Sequence, residues 1–470
     1  MQQRKIAPYI FYGQTSSLCE TCLDLVPAKV IIEDHDVFYL KRCPTHGVQK
    51  TKISSDAGYF KWCKDFIKPG DRPLNVQTRT DYGCPLDCGL CPDHEQHSCL
   101  ALIEINDTCN LSCPVCFADS SMARQSSRSM AEIEAMMDAL VRSEGEPDVL
   151  QISGGEPTIH PQILDILKLA KTKPIRHLML NTNGVRLASD KAFVQELAAL
   201  APGFEVYLQF DSLQKDALIE LRGVDLRNIR KKALEHLEEF NISTTLVVTV
   251  KKGLNDHEIG VMIDHALNYR CVRGLTFQTI QDAGRNENFD KNTHRMMLTD
   301  IRRAIYEQSD HFKPEDIIPL PCNPESIAIA YGLRNGKKIT PITSLIPKAD
   351  LVADVPNAVS FEKNAALREK VLNLFSLSSG DLNTVDRMQS LLCCLPEFPA
   401  LSKLSYENIF RITILQFLDR YNFCVSNVKR SCLHFVTVDG QIIPFDTYNL
   451  FYRNGSVHQL RSQVRARQCK

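Results

Sequence analysis

The stretch Gly83–Ala118, GCPLDCGLCPDHEQHSCLALIEINDTCNLSCPVCFA, holds seven of the 18 cysteines of the chain. Cys84, Cys88 and Cys91 follow the spacing C-x3-C-x2-C, with Cys99 eight positions beyond Cys91. Cys109, Cys113 and Cys116 repeat the spacing, and no fourth cysteine follows nearby. Thiolates hold iron–sulfur clusters, and four of them complete a cubane. The first set therefore reads as a closed auxiliary cluster on Cys84, Cys88, Cys91 and Cys99. The second leaves one iron free to bind a small molecule and reads as catalytic. Pro85 and Gly89 keep the first loop from becoming a helix. His94 and His97 in that loop read as solvated residues.

Working outward, the 470 residues suggest about three domains. A hydrophobic content of 44% and a charged content of 24% are ordinary for a globular protein. The net charge of −1 offers no basic field for nucleic acid. No apolar run approaches the roughly 20 residues of a membrane span, and MQQRKIAPYIFYGQ lacks a signal peptide's apolar stretch. These features favour the cytoplasm. Eleven of the 18 cysteines precede residue 117, a bias that favours metal or cluster ligation over disulfides.

Residues 1–70 look like a small metal knuckle. Cys19 and Cys22 are followed by the alternating stretch AKVIIEDHDVFYLKR, then by Cys43 and His46. Two short knuckles joined by a hairpin can set four N/S ligands around zinc or a lone iron. His46 is the weakest of the four, with Cys63 as its alternative. Residues 71–99 form the auxiliary-cluster loop.

Residues 100–280 alternate strand and helix signals. Strands are expected at 100–105, 149–153, 177–181, 206–210, 245–250 and 274–278, with amphipathic helices between them. Ser129 and Glu132 make a capping box at the first helix. Six βα repeats imply a parallel sheet with right-handed crossovers, too few for a closed eight-stranded barrel. Ligands bind such sheets at the strands' carboxyl ends. Cys109, Cys113 and Cys116 follow the first strand. The second ends in Ser153-Gly154-Gly155-Glu156-Pro157-Thr158, the third in Asn181-Thr182-Asn183-Gly184 and the fourth in Gln209-Phe210-Asp211-Ser212. In residues 281–470, helices are expected near 295–308, 362–375 and 405–420, and a loop over 339–361. A strand pair is expected over LHFVTVDGQIIPFDTYNLFYRNG, turning at Asp439-Gly440.

Over residues 100–280, CxxxCxxC followed by GGEP resembles the radical S-adenosylmethionine (SAM) superfamily. The resemblance implies an α/β fold built on a partial (β/α)6 TIM-like barrel of the radical SAM type. The knuckle would precede it, and an α+β extension would follow. It further implies a [4Fe–4S] cluster on Cys109, Cys113 and Cys116 whose open iron chelates SAM. Gly154, Gly155 and Glu156 would hold the methionine amino group, and Asn183 and Asp211 would lie near the ribose. Reductive cleavage of SAM would give a 5′-deoxyadenosyl radical that abstracts a substrate hydrogen. Val115 departs from the aromatic residue usual before the third cysteine.

The two knuckles, GCPLDCGLCPxHxQHxCLALIE, CNLxCPVCFA and CxHFxxxDGxxIPFDxYN also resemble the tetraether lipid synthase group across nearly the whole chain. That likeness implies one or two auxiliary [4Fe–4S] clusters and a rubredoxin-like or zinc knuckle. The second auxiliary cluster would use Cys322 and Cys432, with Cys424, Cys393 and Cys394 as helpers. Ser326 stands where another cysteine is expected. The first functional expectation is coupling of unactivated alkyl carbons in lipid chains, with a ferredoxin or flavodoxin as electron donor and peripheral contact with the inner membrane face. The alternative is methylation of a pterin-like or other small substrate from a reduced folate-type carrier. A metal-knuckle scaffold or nucleic-acid binder is the non-enzymatic reading. No nucleic-acid partner is expected, because the basic tail RSQVRARQCK reads as a frayed terminus.

Overall fold

The computed structural model describes residues 7–344 and 408–468. The helix expected over 362–375, Cys393 and Cys394 lie outside the described residues. The chain opens with a four-stranded antiparallel meander: β1 (Ile10–Leu18), β2 (Leu25–Glu33), β3 (Asp36–Cys43) and β4 (Gly47–Ser54). Alternation in β3 turns Val37, Tyr39, Lys41 and Cys43 inward. Helix α1 (Ala57–Trp62) follows, with Asp56 accepting the Tyr59 amide as its N-cap.

Six parallel strands stand where the apolar runs place them. They are β5 (Leu100–Glu104), then β7 (Val149–Ser153), β8 (His177–Thr182), β9 (Phe204–Gln209), β10 (Thr244–Val250) and β11 (Val272–Thr279). A two-residue strand, β6 (Val115–Cys116), lies between β5 and β7, and β12 (Arg285–Asn286) follows β11. Between them run α2 (Met130–Glu144), α3 (Ile163–Thr172), α4 (Val185–Ser189), α5 (Lys191–Ala198), α6 (Lys215–Arg222), α7 (Arg227–Glu239) and α8 (Ile259–Ala266), with α9 (Leu298–Gln308) beyond. The capping box of Ser129 and Glu132 opens α2.

Each of these strands turns one set of alternate residues toward the helices. Ile103, Ile152, Leu180, Val206, Leu246 and Phe277 pack with Met137, Ile166, Leu234 and Met262 in one continuous core. The opposite face is more polar. Near the carboxyl ends of their strands, Asn181, Gln209, Thr249 and Gln278 are half-exposed, whereas the residues on either side are buried.

The described strands of the C-terminal part join the same sheet. The remaining strands are β13 (Ile318–Pro319), β14 (Ile327–Asn335), β15 (Lys338–Pro341), β16 (Ile409–Leu415), β17 (Leu433–Val436) and β18 (Ile442–Pro444). Strand β16 lies parallel to β11, where a helix was expected, and β17 lies parallel to β5. The sheet runs β13-β14-β16-β11-β10-β9-β8-β7-β5-β17-β18, with β15 on β14, as a mixed open sheet among the described residues. Ile409–Leu415 satisfies both periods, but burial of Phe410, Ile412 and Ile414 against the helices settles it as strand. Asp439-Gly440 does turn the β17–β18 hairpin, with Gly440 at φ +77°. Beyond it, Phe445–Tyr452 coils into helical turns instead of continuing as strand. Part of the expected 339–361 loop is strand β15.

Candidate active site and metal centres

The catalytic-type cysteines lie on the loop between β5 and α2. Cys116 pairs with Arg285 in the β6–β12 ladder. The Arg285 side chain donates to the Cys113 carbonyl at 2.6 Å, to Asp119 at 3.1 Å and to the Ser120 carbonyl at 2.8 Å, pinning the loop. Cys109 and Cys113 are buried. Burial pushes the Cys109 thiol up to about 12, with Glu156, Cys113 and Cys116 adding to the rise. Buried thiolates that repel one another need a compensating cation, a donor set that fits an iron–sulfur cluster.

The two glycines after β7 bring that strand end against the cysteine loop. Gly155 N–H donates to the Asn106 carbonyl at 2.8 Å, and Glu156 N–H to the Thr108 carbonyl at 2.9 Å. A Cβ on Gly155 would stand 2.2 Å from the Thr108 oxygen, and one on Gly154 would stand 2.5 Å from the Asn106 oxygen. Glu156 is buried. Its Oε1 accepts from Thr158 N at 3.1 Å, Thr158 Oγ1 at 2.6 Å and Thr182 Oγ1 at 2.7 Å, and its Oε2 accepts from Asn183 N at 2.7 Å. Its carboxylate thus braces the ends of β7 and β8. Asn183 donates to Asn110 Oδ1, inside the cysteine loop, at 2.7 Å.

Asp211 is fully buried and left-handed at φ +63°. Its Oδ1 accepts from Arg222 Nη2 at 2.7 Å and Thr249 N at 3.1 Å. Its Oδ2 accepts from Arg222 Nε at 2.7 Å and Arg230 Nη2 at 3.1 Å. Those four donors fill the lone pairs of a carboxylate, leaving none for a ribose hydroxyl. Asp211 thus braces the end of β9 against Arg222, Arg230 and the Thr249 amide. Burial alone would raise this carboxyl, but Arg222 and Arg230 outweigh it and hold it below its ordinary range.

Arg222 is a residue the motifs missed. Burial raises the Cys113 thiol, and the Arg222 guanidinium opposes that rise with its charge and a hydrogen bond. Arg222 also donates to Gln209 at 3.1 Å, Gln209 to Asn181 at 2.8 Å, and Asn181 to Ser153 at 3.2 Å. A row of amides thus crosses the carboxyl ends of β7, β8 and β9 and reaches the cysteine loop. Its only signal in the sequence was one polar residue per strand end.

Two further sets of ligand-type residues converge. Cys19, Cys22, Cys43 and His46 bring their ligand atoms within 4.8 Å of one another. Cys19 Sγ and Cys43 Sγ each lie 3.5 Å from His46 Nδ1, and Cys22 Sγ lies 3.9 Å from Cys43 Sγ. Zinc–sulfur bonds of about 2.3 Å around a tetrahedral ion imply sulfur separations of about 3.8 Å, so these residues fit one ion. Cys63 is buried in the core against α1 and takes no part.

The second set is Cys99, Cys322 and Cys432, also within 4.8 Å of one another and fully buried. Cys99 therefore joins this set instead of Cys84, Cys88 and Cys91. The cause is the sheet: Leu100 N–H donates to the Cys432 carbonyl at 3.1 Å, so Cys99 and Cys432 precede neighbouring parallel strands. Cys88 lies in another cluster, with Leu418, Phe451 and partly buried Cys84, and its amide donates to Tyr452 Oη at 2.7 Å. Cys84 raises the Cys88 thiol beyond what burial does, with Cys91 adding to the rise. Cys424 Sγ lies 3.1 Å from Thr15 Oγ1 and 3.0 Å from Ser426 Oγ, in the core of the β1–β4 unit, away from the second set.

Comparison with known proteins fits this arrangement. The radical SAM superfamily profile matches residues 103–266. An N-terminal zinc ribbon domain profile, described as that of HMPTM, matches residues 11–55. The chain is 30% identical over 480 aligned positions to 7,8-dihydro-6-hydroxymethylpterin dimethyltransferase of Methanocaldococcus jannaschii, covering 94% of each chain.

This chain belongs to the radical SAM superfamily, in the family of that pterin dimethyltransferase. It is also 25% identical to GTP 3′,8-cyclase of Shewanella denitrificans, over 47% of this chain and 64% of that one. A crystal structure of Streptococcus suis SuiB bound to S-adenosylmethionine aligns with a TM-score of 0.38 and 18% identity, over 45% of this chain and 47% of that one. The expectation of lipid carbon–carbon coupling is overturned by the match over 94% of both chains, which is to a pterin dimethyltransferase. No helix among the described residues is long and apolar enough to cross a membrane.

Proposed function

We propose that this radical SAM protein methylates a pterin-like substrate, using a one-carbon unit from a reduced folate-type carrier. The observation that carries the reading is the alignment with a pterin dimethyltransferase over 94% of both chains. The site is compatible with it. A pterin edge is a planar array of amide-like donors and acceptors. The half-exposed amides of Asn181, Gln209 and Gln278 could complement such an edge, and Gln278 is already oriented by Tyr207 Oη at 2.9 Å.

Cys109, Cys113 and Cys116 would hold a [4Fe–4S] cluster. When bound, the cluster and SAM would supply a 5′-deoxyadenosyl radical. The chain's own part is positioning. Main-chain groups of Gly154, Gly155 and Glu156, with Asn183, would orient SAM. Arg222 would offset charge at Cys113. Phe117, packed edge-on to Phe445 at 5.3 Å between ring centres, would help exclude water. The ribbon would hold zinc or a single iron, and Cys84, Cys88 and Cys91 with Cys99, Cys322 and Cys432 would serve the auxiliary iron–sulfur sites. Electrons would come from a ferredoxin or flavodoxin.

The test is anaerobic reconstitution with SAM, a low-potential reductant, 7,8-dihydro-6-hydroxymethylpterin and a methylene-bearing reduced folate carrier. Mass spectrometry should find 5′-deoxyadenosine and a pterin carrying added methyl groups, both lost in Cys113→Ala. Production of 5′-deoxyadenosine with no methylated pterin would refute the substrate assignment. Absence of both from cluster-loaded protein would refute the reaction class.

A further inference from the structure

The Cys99–Cys322–Cys432 centre has three thiolates, and a four-coordinate iron or a cubane asks for a fourth ligand. Ser326, which stands where the resemblance leads one to expect a cysteine, turns its hydroxyl to Asn427 Oδ1 at 3.1 Å. The structure offers a different group. His97 Nε2 lies 3.4 Å from Cys99 Sγ, close to the 3.5 Å at which His46 stands from Cys19 and Cys43 in the ribbon. His97 and Cys99 lie two residues apart in the irregular segment that leads into β5.

We propose that His97 is the fourth ligand of an iron–sulfur centre held by Cys99, Cys322 and Cys432, and that Glu144 holds its imidazole in the ligating tautomer. The second half rests on a separate observation. His97 Nδ1 lies 3.0 Å from Glu144 Oε2, and that carboxylate is almost fully buried at the end of α2. Its other oxygen accepts the Ser98 amide at 3.2 Å, which fixes its orientation. Metal-bound imidazoles regularly donate their second N–H to a carboxylate in this way. Asp148 Oδ2 also faces Nε2, at 4.0 Å, farther than the Cys99 sulfur. Nδ1–H bound to Glu144 leaves Nε2, 3.4 Å from Cys99 Sγ, as the ligating nitrogen. His94 and His434 are both buried, with their Nε2 atoms 3.2 Å apart.

The proposal is independent of methyl transfer and can be tested without turnover. Full-length protein carrying Cys109→Ala, Cys113→Ala and Cys116→Ala, reconstituted with iron and sulfide and labelled with 15N-histidine, would be reduced with dithionite. Pulsed electron paramagnetic resonance should then detect one directly coordinated imidazole nitrogen. His97→Ala should abolish that coupling, whereas Ser326→Ala should leave it intact. His97→Cys should retain the cluster without nitrogen coupling and lower its midpoint potential, because imidazole ligation raises potentials relative to thiolate. Glu144→Gln should keep the coupling but weaken metal retention about 10–100-fold. Coupling that persists in His97→Ala, a reduced cluster at this site with no nitrogen coupling, or zinc in place of iron there would each overturn the assignment.

Discussion

Asp211 carries the most demanding prediction, because its removal changes stability and the catalytic loop together. In Asp211→Asn the side chain keeps its shape but loses its charge. Arg230 and Arg222, with side chains 2% and 14% exposed, would then face an amide whose NH2 group cannot accept a hydrogen bond. Breaking a buried ion pair from one side costs about 3–5 kcal/mol. For a core of this size, each kcal/mol shifts the midpoint by roughly 2–4 °C, so thermal unfolding should move down by about 10 °C. Arg222, released from its bidentate grip, would no longer stand at Cys113. Iron per chain at the catalytic cluster should fall even at temperatures where the variant is folded. Anaerobic circular dichroism melts and iron and sulfide counts would read both effects. Arg222→Lys keeps the charge without the fork and should fall between wild type and Asp211→Asn. A variant melting within 1 °C of wild type with full iron would refute the reasoning.

Other expectations follow from single contacts. Gly155→Ala drives a Cβ into the Thr108 oxygen, so it should displace the cysteine loop, cost about 1–3 kcal/mol and lower cluster content measured by absorbance. Cys43→Ser should remove one equivalent of metal and melt the β1–β4 unit at a lower temperature than the sheet core, read by metal analysis and calorimetry. At Glu205, burial alone would raise the carboxyl, but Arg411 at 2.6 Å and His177 at 3.1 Å dominate and hold it low. The resulting stability is present above the ordinary carboxyl range and lost only as pH falls through the depressed value. Glu205→Gln should therefore be destabilised at neutral pH and converge on wild type in strong acid, seen in denaturant titrations at several pH values. Asp446 has the opposite sign. Burial raises its carboxyl to about 7, so it costs stability progressively as pH climbs from its unfolded value toward 7. Asp446→Asn keeps an acceptor for Leu418 N–H and should be more stable than wild type above pH 7 by the same titrations.

Much of this was legible in the sequence because it is local. Six strands declared themselves by largely apolar runs of five or six residues, and the ribbon by two knuckles flanking an alternating stretch. What was not legible is long-range. Cys99 seemed to belong with Cys91 because they are eight residues apart, but its partners are Cys322 and Cys432, brought in by β17 pairing with β5. Ile409–Leu415 carried apolar residues at both helical and strand spacing, and its long-range pairing with β11 and β14, with alternate burial in the core, decided between them. The bracing roles of Asp211 and Glu156 were also hidden. A carboxylate at a strand end reads the same whether it faces a ligand or two arginines, and only the donors around it tell which.

The pairing of β17 with β5 also sets a schedule for synthesis. The β5 edge is translated early, yet its neighbour spans Leu433–Val436. At roughly 5–20 residues per second, about 330 residues of synthesis separate the two, or on the order of 20–60 s. During that interval the edge is open to pairing with other chains. Cys99 meanwhile waits without Cys432, so a centre held by both could not load before Cys432 has been made. Oxygen or copper arriving in that window would find a thiol that the finished protein never exposes.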